Sequence, residues 1–170
     1  MLRTILSACS LLVLALCLLT EVSLCQDTTT SRRFGISASL QDNQIDVLLP
    51  IWMGTKFSLS PAFGILWTQG VGADLHIGFV PRFFLSTNNV APYVAARVGI
   101  LQTFPSAGSG TTDWLVGGAF GAEYFVDRHF STGIESQINL TISDANSSRF
   151  GNPGKKNLNT AVAAFATIYF

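Results

Sequence analysis

The chain of 170 residues is long enough for one ordinary domain. Ten Lys plus Arg balance ten Asp plus Glu, which excludes the basic field of a nucleic-acid binder and the acidic excess of a solvating tail. Charged residues make up 12%, about half the usual share for a soluble domain, and the mean hydropathy is +0.41, so an apolar solvent becomes the first expectation to test.

In chain order, Arg3 supplies a positive flank and Ile5 through Leu19 form an uncharged, Leu-rich core, at about fifteen residues too short for a spanning helix. Ser23 and Cys25 then precede Gln26 and a polar run, so residues 1–25 read as a secretory signal peptide cut near Cys25. An uncleaved anchor is disfavoured by Glu21 and the short core. Lipidation of Cys25 is disfavoured by the bulky Leu24 before it. Cys9, Cys17 and Cys25 are the only cysteines, so the processed chain is expected to carry no thiol. Residues 26–32 form a short polar segment, and 33–170 the folded domain.

No second run of eighteen apolar residues follows, which leaves membrane helices out. If lipid is the solvent, every backbone amide must be paired within the protein, and a closed barrel is the remaining solution. The chain after Arg33 breaks at turn-type residues into eight segments: 33–41, 44–53, 55–67, 73–86, 91–102, 112–126, 129–142 and 157–170. An even count puts both ends on one side of the membrane.

Alternation supports strands, because successive side chains point to opposite faces. Ile134, Ser136, Ile138, Leu140 and Ile142 share one face, and Gly133, Glu135, Gln137, Asn139 and Thr141 the other. Leu75, Ile77, Phe79, Pro81, Phe83 and Leu85 likewise alternate with Asp74, His76, Gly78, Val80, Arg82 and Phe84. The polar faces carry fewer Lys, Glu and Thr than a water-exposed sandwich face. Gly35, Gly64, Gly78, Gly99, Gly117, Gly121 and Gly133 fall on the interior parity, with Gly118 the exception. They are expected to leave volume for Trp52, Arg82, Phe84 and Arg97 inside a barrel only wide enough for its own side chains.

The connections 102–112 and 143–157 read as long polar outer loops, whereas 53–55 and 126–128 are tight. Lipid-face aromatics gather near the periplasmic ends (Phe57, Phe83, Tyr124, Phe130, Phe170), with Trp67 and Trp114 near the other rim. Pro50, Pro61 and Pro81 fall inside strands although a closed barrel has no edge for them, so bulges near the periplasmic rim are expected there.

The ionisable residues of interior parity are Asp46, Lys56, Asp74, His76, Arg82, Arg97, Glu123 and Glu135. Charges in a narrow lumen need partners. Arg82 and Arg97 are therefore expected to pair with Glu123 and Glu135 as a polar plug. His76 and His129 are the only histidines, too few for a metal centre without further ligands. A Ser, His and acid enzyme finds only His76 with Asp74 alongside and no clear nucleophile beyond a guess at Ser39. Arg149, Lys155 and Lys156 form a modest basic cluster in the last loop, open to anionic lipopolysaccharide groups.

The last strand places Val162, Ala164, Ala166 and Ile168 at alternate positions before Tyr169 and the terminal Phe170. With Pro92-Tyr93-Val94, Gly121-Ala122-Glu123-Tyr124-Phe125 and Ser131-Thr132-Gly133-Ile134-Glu135, the chain resembles the outer-membrane protein β-barrel domain family over nearly the whole of 33–170. Its members resemble the small barrels of the outer-membrane protein A and X type. The resemblance implies an all-β, eight-stranded antiparallel up-and-down transmembrane barrel in the outer membrane of a Gram-negative-type envelope. It implies that the C-terminal residues are an insertion signal for the barrel-assembly machinery. The other implied partners are outer-membrane lipid and lipopolysaccharide, and a monomer without cofactor, metal or nucleic acid is expected. Fold alone leaves the role open: a non-enzymatic barrel for envelope structure or surface binding is the first expectation, a narrow channel the second and an outer-leaflet lipid-modifying enzyme the third.

Overall fold

A computed structural model describes residues 33–41 and 44–170. The expected signal peptide 1–25, its three cysteines and the polar segment 26–32 lie outside the described residues, as does Asp42.

Among the described residues nine strand segments follow one another: β1 Gly35–Gln41, β2 Gln44–Leu48, β3 Ile51–Trp52, β4 Phe57–Thr68, β5 Gly72–Phe84, β6 Val90–Pro105, β7 Thr111–Phe125, β8 Phe130–Ile142 and β9 Lys156–Tyr169. From β3 onward each pairs antiparallel with its sequence neighbour, β1 pairs with both β2 and β9, and β2 bridges to β4, so the sheet closes on itself. The segments β2 and β3 are halves of one strand. Three residues from Leu48 to Ile51 are matched by three on β4, Ala62 to Leu59, and by three on the other side, Ser37 to Phe34. The architecture is thus an eight-stranded antiparallel barrel.

Its stagger follows from the pairing. Crossing the ladders from Ser37 leads through Leu48, Ala62, Gly78, Gly99, Leu115 and Thr141 to Asn157 on β9. Ser37 itself faces Thr167, so one circuit is displaced by the ten residues from Asn157 to Thr167. Closure with such a stagger requires strands tilted by roughly 35–45° to the barrel axis.

The expected bulges at the prolines are absent from the described strands. Pro61 pairs with Phe79 and Pro81 with Leu59 in the same register as their neighbours. Pro50 and Pro61 instead act as acceptors only: the Pro50 carbonyl takes Gly35 N–H and the Pro61 carbonyl takes Leu49 N–H, both at 2.9 Å. Each proline omits one ladder bond without displacing its strand.

The connections also differ from expectation. The ladder between β6 and β7 continues to Thr103 opposite Thr111, which leaves a short turn over 106–110 in place of the expected long loop. Only the β8–β9 connection, 143–155, is long among the described loops.

Period two sorts the surface as expected. Ile138 and Phe79 are 55% and 52% exposed, and Ile36, Ile77, Val98, Val116, Phe120, Ile134 and Val162 join them on an apolar exterior that runs round the barrel. A continuous apolar belt of this kind matches hydrocarbon rather than water. Aromatics flank it, with Phe83, Tyr124, Phe130 and Phe170 toward the end carrying the termini and Trp67 and Trp114 toward the opposite, loop end. No helix among the described residues is long and apolar enough to cross a membrane, which says nothing of the strands.

Candidate functional site in the barrel lumen

The lumen is filled in layers. At the terminal end, Trp52, Phe84, Tyr93, Phe125, Phe165 and Tyr169 form an aromatic cluster. Trp52 stacks on Phe84 with ring centroids 4.5 Å apart, and Phe125 and Tyr169 lie at 6.0 Å. The interior glycines make this possible. A methyl group on Gly121 would sit 2.8 Å from the Tyr93 hydroxyl, and one on Gly133 would meet the Phe165 ring. The volume freed by glycine is thus taken by Tyr93 and Phe165, and at Gly78 and Gly99 by His76, rather than by the arginines.

Above the aromatics sits Arg82. Its guanidinium centre lies 4.9 Å from the Tyr93 ring centroid and 4.6 Å from that of Phe165, a cation–π arrangement on two rings. Two carboxylates face it: Glu135 Oε2 at 3.5 Å and Glu123 Oε2 at 4.0 Å. Each is held by a tyrosine. Tyr93 donates to Glu135 Oε2 at 2.8 Å, and Tyr169 and Ser131 donate to Glu123 Oε1 at 2.7 and 2.5 Å. A line of amides continues along β8, where Gln137 donates to Glu135 Oε1 at 2.9 Å and Asn139 to Gln137 Oε1 at 3.2 Å.

Toward the loop end the lumen opens into a cavity of about 280 Å³. Its walls include Asp46 and His76, whose Oδ2 and Nδ1 are 3.0 Å apart, and Arg97, whose Nη1 reaches Gln41 Oε1 at 3.4 Å. The β8–β9 loop covers the mouth. Arg149 Nη2 donates to Asp74 Oδ1 at 2.7 Å and to Thr103 Oγ1 at 2.9 Å, and its Nε lies 3.6 Å from Asp113 Oδ2. Fully buried Asp113 also accepts from Ser147 Oγ and from the Asp144 N–H, both at 2.8 Å.

Of the expected site residues, Arg82, Glu123 and Glu135 meet at mid-lumen. Arg97 does not join them: among the described residues no carboxylate lies within 4.0 Å of it. Its level of the barrel holds Gly117, Asn139 and Asn159 instead. Asp46 and His76 pair with each other. Asp74 stands at the loop-end rim with Arg149. Lys56 is not in the lumen, because it belongs to the rim turn after Trp52, where Gly54 adopts φ +97°, and is exposed before β4 begins, although its carbonyl still accepts the Phe84 N–H. Arg149 leaves the expected basic loop cluster for the inward carboxylates, while Lys155 and Lys156 remain exposed. Of the C-terminal residues, Val162, Ala164, Ala166, Ile168 and Phe170 face outward and Tyr169 inward.

Sequence reasoning left Asp113 out of the interior set, gave Tyr93 and Tyr169 no part in the polar network, and placed Arg149 in a solvent-facing basic cluster. The first shares the interior parity of Gly117 and Gly121 and was legible there; the inward turn of a loop arginine had no such signal. Among the described residues no cluster of three or more His, Cys, Asp or Glu could hold a metal ion.

No protein-family model and no curated protein matches the sequence. Solved structures do. The chain is similar to Neisserial surface protein A (NspA) at 13% identity, with 81% of this chain and 93% of that one covered and a TM-score of 0.56. It is similar to the N-terminal β-barrel domain of Pseudomonas aeruginosa OprF at 10% identity, with 81% and 95% covered and a TM-score of 0.55. The shared feature is the fold, a small eight-stranded antiparallel barrel.

Proposed function

We propose that the chain is a non-enzymatic outer-membrane barrel of a Gram-negative-type envelope, a sealed body that serves envelope structure or surface binding rather than transport. One observation carries this reading. The lumen is occupied at its terminal end by the aromatic cluster, at its centre by the Arg82 cluster and at its mouth by the latched β8–β9 loop. The apolar exterior and the barrel fold of the similar structures support an outer-membrane position. In this reading the signal peptide is removed, the outward C-terminal residues are read by the barrel-assembly machinery, and the closed monomer contacts lipid and lipopolysaccharide. With the other described outer connections short, the surface available for binding is concentrated on the 143–155 loop.

The test is single-channel recording from purified, refolded protein in planar bilayers. No steady conductance steps are expected. Steady steps would favour the narrow channel. Lipid A masses that change with the wild-type chain and not with His76→Ala would instead restore the enzyme reading.

A further inference from the structure

We infer that the loop-end cavity is a binding site for a monosaccharide-sized hydroxy acid, with Arg97 receiving its carboxylate. The inference does not depend on where the barrel resides. It comes from the contrast between the two buried arginines of the lumen. Arg82 has two carboxylates within 4.0 Å and two aromatic rings against its faces. Arg97 is nearly as enclosed, 7% exposed, yet its hydrogen bond among the described residues is the 3.4 Å contact with the neutral Gln41. A guanidinium offers five N–H donors, and a buried cation on which Glu135 and Asp46 act only from beyond contact distance is costly. The cavity lies against this under-satisfied group.

The rest of the wall defines the ligand. Arg149 is already engaged by Asp74 and Asp113, and Asp46 by His76, which leaves Arg97 as the lining cation with no carboxylate in contact among the described residues. An anion is therefore the matching charge, and a carboxylate fits the planar fork of an arginine with two parallel bonds. Asn139 Oδ1, on a side chain 2% exposed, has no hydrogen-bond partner, and the Thr141 hydroxyl lines the same wall. These acceptors and donors suit ligand hydroxyls, which can both give and accept. At about 280 Å³ the cavity is just below the range that holds drug-sized molecules, which limits the ligand to roughly one sugar ring. Arg149 and Phe150 cover the loop end of the cavity, so entry there requires the Arg149 latch to open.

The experiment is calorimetric titration of the folded full-length barrel in detergent with glucuronate, glucose and acetate. Glucuronate should bind saturably and more tightly than either comparator. Arg97→Gln should weaken it by about tenfold or more, the loss of a charge-assisted pair. Asn139→Asp, isosteric but negative, should weaken it as well, while Lys155→Gln should not. Should Arg97→Gln fail to fold, judged by unheated gel migration, Asn139→Asp decides alone. Glucose binding as tightly as glucuronate, acetate binding as tightly, unaltered affinity in the lumen variants, or no saturable binding by millimolar glucuronate each overturns the inference and leaves a water-filled cavity.

Discussion

Tyr169, one residue from the C-terminus, donates its hydroxyl to Glu123 Oε1 at 2.7 Å in the middle of the barrel. The contact ties the register of the closing strand to the lumen, because a one-residue slip of β9 would turn Tyr169 out to the exterior and Phe170 in. Tyr169→Phe keeps the ring in the aromatic cluster and removes only the hydroxyl. Glu123 would then rely on Ser131 and the more distant Arg82. Loss of one hydrogen bond to a buried carboxylate is expected to cost about 1.5–3 kcal/mol. The urea midpoint of the refolded barrel reads the change; an unaltered midpoint would mean that the register is held by the ladder alone.

Arg82 is the cation on which two buried carboxylates depend. Arg82→Met leaves Glu123 and Glu135 facing each other without it, and breaking such a pair from one side costs about 3–5 kcal/mol. Arg82→Lys keeps the charge but not the planar group that lies on Tyr93 and Phe165. The expected order of unfolding midpoints is wild type, then Arg82→Lys, then Arg82→Met. A triple variant that combines Arg82→Met with Glu123→Gln and Glu135→Gln should recover much of the loss, since the uncompensated charge is the main cost. Equal midpoints for Arg82→Met and the triple variant would contradict that account.

Period two explains how much of this was legible. It assigns Asp46, His76, Arg82, Glu123 and Glu135 to the inside because alternation along a strand depends only on local geometry. It carries no information about depth. Depth is set by the ten-residue stagger, which puts Arg97 level with Asn139 and Asn159 and leaves the glutamates to Arg82. Parity also cannot tell where a strand ends. Lys56 keeps the interior phase but stands exposed at the rim before β4 begins, and Thr103 to Pro105 extend β6 through residues expected in a loop. A bulge at Pro81 would follow if a missing N–H broke the register, whereas an acceptor-only residue can remain in line.

Glycine substitutions separate the two faces. Gly121 faces the lumen, where an added methyl lies 2.8 and 2.9 Å from the hydroxyl and Cζ of Tyr93, and that tyrosine is fixed by Glu135. Gly118, three residues earlier, faces outward, and the nearest atom to its added methyl is Ala95 O at 3.9 Å. Gly121→Ala is expected to lower stability by about 1–3 kcal/mol through overpacking. Gly118→Ala should leave it unchanged or slightly higher. Paired thermal-shift curves in one detergent make the comparison, and a larger loss at 118 than at 121 would invert the assignment of faces.

At the terminal rim the Asp127 carboxylate accepts the backbone N–H groups of His129 and Phe130, both at 2.7 Å. These bonds hold its carboxyl below the ordinary aspartate range, with His129 the largest contributor. A depressed folded value means that the turn's contribution is present above the unfolded value, near about pH 4, and is lost as pH falls through the folded one. Asp127→Asn keeps an acceptor and removes the titration. The difference in unfolding midpoint between wild type and Asp127→Asn is expected to shrink as pH falls below about 4 and to be flat between about pH 6 and 8. A difference that grows with acidity would have the wrong sign for this turn.

Arg149 and Asp113 together decide whether the mouth stays covered. The arginine spans Asp74, Thr103 and Asp113, and the aspartate separately holds Ser147 and the Asp144 N–H, so the 143–155 loop is fastened at two points that share one carboxylate. Removing Arg149 leaves the Asp113 anchor in place and frees the middle of the loop. Local opening should become easier by about 1.5–3 kcal/mol, because one charge-assisted set of bonds is lost while the barrel ladders are untouched. Limited proteolysis with a non-specific protease should therefore cut the 143–155 loop of Arg149→Ala about tenfold faster or more than wild type, with no change in the thermal midpoint of the barrel. Lys155→Ala serves as the control, since Lys155 is exposed and takes no part in the ion pairs of the latch. If Arg149→Ala and Lys155→Ala were cut at the same rate, the loop would be held by its own turns, and the mouth would stay covered regardless of the ion pairs at its rim.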